Sequence, residues 1–160
     1  MIDAAAWQKL AGALRELHRV LLEHARRDYE RAHGVTLSPG ELLRLLTTDA
    51  AFAWLRSLSE LMVDIDLVGE AAPAHRDEMA TAIRAAVEHV IAAPATAGPA
   101  EPFAQHYWPY VHADPHVAMA HAGAKQALAA WPKPQRGDPA ALLHERHRLA
   151  EKARHLSRRR

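Results

Sequence analysis

The chain has 160 residues, with 20 Lys+Arg against 19 Asp+Glu, 12 His, no Cys and 49% apolar residues, which suits one compact domain whose core needs no metal or crosslink. The absence of Cys excludes disulfides, thiolate zinc sites, Cys-ligated iron–sulfur clusters and a Cys nucleophile. No run of about 18 apolar residues occurs, and the N-terminus has no basic start leading into an apolar stretch, so the expectation is a soluble cytoplasmic protein without a membrane partner.

Of the 79 apolar residues 35 are Ala and 19 are Leu, while Val and Ile together supply 12, a bias toward helix over sheet. Abundant Ala and Arg also fit a GC-rich bacterial genome, so periodicity has to decide the fold class. The first segment opens at Asp3, a helix N-cap, and runs unbroken to Gly34, a residue suited to a left-handed C-cap. Trp7, Leu10, Leu14, Leu17, Leu21, His24 and Asp28 fall at alternating spacings of three and four, forming one seam that turns polar in its last third.

Ser38-Pro-Gly-Glu41 reads as a capping box with proline at the first helical position. A short helix is expected over 39–46 and a longer one over 50–69, separated at Thr47-Thr-Asp49. In the longer piece Phe52, Leu55 and Met62 share one side, and Trp54, Leu58, Leu61, Ile65 and Val68 an adjoining one. Asp66 extends the Leu55–Met62 side, whereas Glu60 and Asp64 are expected to face water. Residues 74–93 carry Met79, Ile83, Val87 and Ile91 at helical spacing.

Eight of the ten prolines lie from Pro94 onward, three of them in a loop that ends at Pro102. The aromatic run from Phe103 to Val111, interrupted by Pro109, is expected as a short helix or turn packed over the bundle. Asp114-Pro115 starts a helix to about Trp131, and Asp138-Pro139 starts the last one, to about Ser157. The fold class is therefore all-α: a single domain forming an irregular bundle of five to six helices. It is read as a three-helix core over 1–93, a Pro-rich loop with an aromatic plug over 94–115, and two C-terminal helices with a basic tail over 116–160.

Nucleotide-binding and hydrolase signatures (GxGxxG, GxxxxGK[ST], GxSxG) are absent, and no residue set assigns a reaction. The histidines are the unusual feature. His24 and Asp28, four apart on the seam, can meet each other or share a metal. Glu30-Arg-Ala-His33 has the Glu-x-x-His spacing of di-iron bundles, but the second copy such sites need is missing. His112 and His116 form the single His-x-x-x-His pair of the hemerythrin kind, and Pro115 sits inside it, so that family is not assigned.

His106, His112, His116 and His121 crowd 16 residues with Tyr107, Trp108 and Tyr110 interleaved. His144-Glu-Arg-His147 is one residue short of a zincin motif, and its stripe falls opposite Leu142, Leu149 and Leu156. Residues 133–160 carry nine basic and three acidic residues, net +6. Arg146, Arg148, Lys152, Arg154, Arg158, Arg159 and Arg160 therefore offer a contact to nucleic acid.

Three functions are weighed. The favoured one is a non-catalytic accessory module acting through a protein partner or self-association, with His24 and Asp28 as a structural pair and no cofactor. The second is a bundle binding Zn or Fe through His24 and Asp28, or through His112 and His116. The third is nucleic-acid binding by the basic C-terminal helix.

Overall fold

The computed structural model describes residues 2–70, 73–94 and 101–133, together with Arg148 and Glu151. Among these residues there are six α-helices, one 3₁₀ segment and no strand, so the chain is an all-α bundle. The last helix expected over 138–157, with the zincin-like stripe and most of the basic tail, lies outside the described residues.

Helix α1 spans Ala4–His33 between the ends expected of it. The Asp3 carboxylate accepts from the Ala6 N–H at 2.6 Å, and Gly34 adopts φ +64°, where a side chain would be strained. Its buried face runs through Trp7, Leu10, Leu14, Leu17 and Leu21 and then passes to Ala25. His24 and Asp28 consequently leave the core at the end of the seam.

Helix α2 (Pro39–Thr48) begins with both arms of the capping box closed. The Glu41 N–H meets Ser38 Oγ at 3.3 Å, and the Ser38 N–H meets Glu41 Oε2 at 2.8 Å. It ends where the Thr47 and Thr48 hydroxyls both turn back on the Arg44 carbonyl. Asp49 then caps a 3₁₀ segment, Ala50–Leu55, which feeds directly into helix α3, Arg56–Gly69.

The expected single helix over 50–69 is therefore two conformations, a 3₁₀ segment and an α-helix. Three residues per turn set Phe52 above Leu55, both buried. The buried row of α3 is the expected Leu58, Leu61, Ile65 and Val68, with Asp64, three residues after Leu61 and four before Val68, beside them at 2% exposure. Met62 is half-buried, and Asp66 faces outward to pair with Arg15 at 2.6 Å, the reverse of the assignment expected for the two aspartates.

Helix α4 (Pro73–Ile91) buries Met79, Ala80, Ile83, Ala86 and Val87. Helix α5 (Pro102–Ala113) continues through Pro109 and buries Phe103, Ala104 and Tyr107. Helix α6 (Pro115–Leu128) is capped by Asp114, whose carboxylate accepts from the His116 and Val117 N–H groups.

The core extends beyond 1–93. Helix α1 makes its most extensive contact with α6 and its next with α3, while α5 lies across the 3₁₀ segment and α6. Ala120, Ala124 and Ala127 give α6 a flat buried face that lets another helix approach closely. Trp7 joins the parts: its indole N–H donates to the Ile65 carbonyl at 3.0 Å, and its ring lies 4.9 Å from that of Trp131.

A second tie was not legible in the sequence. Arg84 of α4, 8% exposed, donates from Nη1 to the Leu128 and Trp131 carbonyls at 2.7 and 2.6 Å and from Nε to Glu88 at 2.8 Å. The guanidinium thereby ties α4 to the end of α6 and to the turn after it, where the Leu128 carbonyl also accepts from the Trp131 N–H at 3.0 Å. No helix among the described residues is long and apolar enough to cross a membrane.

Candidate functional site

The polar end of the α1 seam meets the junction of α5 and α6. His24 Nε2 lies 3.0 Å from Asp114 Oδ2, and the imidazole packs on the Tyr110 ring with centroids 4.9 Å apart. The Tyr110 hydroxyl donates to Asp28 Oδ2, and Asp28 also receives Arg31 at 3.2 Å. The expected direct pairing of His24 with Asp28 is thus replaced by two bonds that each cross from α1 to the later helices.

Asp114 serves two helices at once, capping α6 with one oxygen and holding His24 with the other. Burial pushes its carboxyl up, but the N–H donors of His116 and Val117, helped by His24, outweigh that and leave it below the usual carboxylate range. Burial, reinforced by the bond to Asp28, pushes the Tyr110 hydroxyl far above its ordinary value, so it stays protonated as the donor.

The remaining histidines are dispersed. His112 is exposed against Trp108 at 5.5 Å, and His116 is exposed with its backbone N–H in the α6 cap. His106 stacks on Trp54 at 5.0 Å and donates from Nδ1 to the Pro102 carbonyl. His33 stacks on Tyr29 at 4.0 Å, and Glu30 is occupied by Arg26 and the Leu37 N–H, so Glu30 and His33 do not converge. Among the described residues no three of His, Asp and Glu are grouped as a metal would require. His24, Asp28, His112 and His116 therefore form no common ligand set.

Two concavities lie among the described residues. One, of about 590 Å³, lies between α1 and α2, with Leu22, Leu37 and Leu42 as its apolar floor and Arg19, Arg26, Arg27 and Glu23 around it. The arginines are held by neighbours on their own helix, Arg19 by Glu16 at 2.7 Å, Arg26 by Glu23 and Glu30 at 2.7 Å, and Arg27 by Glu23 at 2.8 Å. Hydrogen bonding from Arg26 holds the Glu23 carboxyl below its usual range. Beside the groove, α2 buries fully only Leu45, leaving Leu43 67% exposed.

The second cavity, about 310 Å³, lies between α4, the end of α5 and α6. Sequence reading singled out neither concavity, since each draws its walls from helices whose pairing no periodicity shows. Of the basic tail, only Arg148 is among the described residues. Comparison with family models, with curated proteins and with solved structures finds no match.

Proposed function

We propose that the protein is a non-catalytic, cytoplasmic interaction module that receives an acidic, amphipathic helical segment of another protein in the groove between α1 and α2. The observation that carries this reading is the incomplete burial of α2. A helix with Leu42, Leu43, Leu45 and Leu46 packs chiefly on the 3₁₀ segment and leaves Leu43 in solvent beside an apolar-floored groove. Three guanidinia against one carboxylate give the lining itself a charge of 3 − 1 = +2; Glu16 and Glu30 just outside it pair with Arg19 and Arg26, while Arg27, 61% exposed and sharing Glu23 with Arg26, is the cation that favours an acidic partner. The Arg19 and Arg27 pairs are exposed i,i+3 and i,i+4 contacts, weak enough to be shared with an incoming carboxylate, while Arg26 stays part-buried between Glu23 and Glu30. The metal-bundle reading draws less support, because His24 and Asp28 are already engaged by Asp114 and Tyr110.

The test uses two labelled synthetic peptides with the same helical Leu pattern, one filled with Glu and one with Lys. The Glu peptide is expected to bind at least tenfold more tightly, to weaken with added salt, and to lose that advantage in Leu43→Asp and Arg27→Glu variants. Equal binding of both peptides would contradict the reading. Light scattering that shows Leu43-dependent self-association would replace the acidic partner with a second copy of the chain.

A further inference from the structure

We infer that the cavity between α4, α5 and α6 is a second, independent binding site, for a small carboxylic acid with an aromatic or branched apolar body. Its volume, about 310 Å³, is at the small end of ligand cavities and suits a small molecule. One side is apolar, with Ile91, Leu128 and the face of Trp108. The Trp108 ring is fixed because its indole N–H donates to the Ala92 carbonyl at 2.7 Å, so the wall is already formed before a ligand enters.

The polar side favours an anion. Arg84 and Lys125 against Glu88 give the lining a charge of 2 − 1 = +1. Arg84 is committed to Glu88 and to two carbonyls, so Glu88 is already compensated. Lys125 makes no ion pair among the described residues and is the cation left for a ligand.

His121 adds a directional donor. Tyr107 is fully buried, and its hydroxyl lies 2.5 Å from His121 Nδ1. A phenol buried there must give its proton to an acceptor, so Nδ1 accepts and the ring proton resides on Nε2. Burial, with Lys125 nearby, pushes the imidazole below its ordinary value and keeps that neutral tautomer in place. A carboxylate between the Lys125 ammonium and the His121 Nε2–H would receive one charged and one neutral bond, while its apolar body lies on Trp108 and Leu128.

Titration of the full chain with phenylacetate and with phenylacetamide, its neutral counterpart, tests the site. The indole N–H resonance of Trp108 and the binding isotherm are the readouts. Phenylacetate is expected to shift that resonance saturably and to bind at least tenfold more tightly than the amide. Lys125→Gln, a change at an exposed position, is expected to bring the acid down to the affinity of the amide while the melting temperature stays unchanged. Equal affinities for acid and amide, an undiminished affinity in Lys125→Gln, or shifts that spare Trp108 would each overturn the assignment.

Discussion

Gly69 ends α3 against the indole of Trp7, and a Cβ at that position would meet Trp7 Nε1 at 2.7 Å and Cδ1 at 3.0 Å. Helix propensity alone makes alanine better than glycine by up to about 1 kcal/mol. Here the obstacle is a rigid ring, buried on Trp131 and hydrogen-bonded to Ile65, so overpacking at about 1–3 kcal/mol wins. Gly69→Ala is expected to lower the urea midpoint, with a matching change in Trp fluorescence. Two histidines act at the same scale through their protons. Burial pushes His18 below its ordinary value of 6.5, and burial with Lys125 does so for His121, so the unfolded chain takes up these protons first as the pH falls. Their contribution is complete above about pH 6.5 and is lost as the pH drops toward the lower folded values, because the unfolded state then binds more protons. The melting temperature is expected to fall between about pH 7.5 and about pH 5.5, above the range where carboxylates titrate, and His18→Asn is expected to flatten that slope.

At the level of the helices, local chemistry is written in the sequence and long-range pairing is not. Asp3, Gly34, the Ser38–Glu41 box and Asp114-Pro115 mark helix ends because capping depends on neighbours three or four residues away. The 3₁₀ turn at Ala50–Leu55 escapes such reading, since crowding three large side chains into six residues is a tertiary demand. Asp64 is buried because it falls three residues after Leu61 and four before Val68, a spacing legible in the sequence, while Asp66 finds Arg15 on another helix. The polar break at His24 and Asp28 was visible, but its partners, Asp114 and Tyr110, lie 82 to 90 residues away and are set only by the packing of α1 with α5 and α6. These bonds clasp the later helices to α1, so His24→Ala is expected to lower the melting temperature by about 2–4 °C, the effect of losing one hydrogen-bonded tie in a domain of this size. Tyr110→Phe is expected to act in the same direction. Added zinc or ferrous iron is expected to leave the wild-type value unchanged, and a metal-induced rise absent from His24→Ala would mark a ligand instead of a clasp.

At the scale of the bundle, one continuous core draws on all six described α-helices, and the concavities between α1 and α2 and among α4, α5 and α6 sit on different faces of it. The first is walled by α2, which carries the exposed Leu43 and has the fewest buried side chains of any helix among the described residues. A helix so lightly anchored exchanges its amides readily when free and slows when a partner covers it. Hydrogen–deuterium exchange of the full chain, alone and saturated with the Leu/Glu peptide, is the most direct measurement of the proposed role. Protection confined to residues 19–27 and 37–46 is the predicted result. Unchanged exchange there, or protection centred on α4 to α6, would contradict the assignment of the partner surface to the α1–α2 groove.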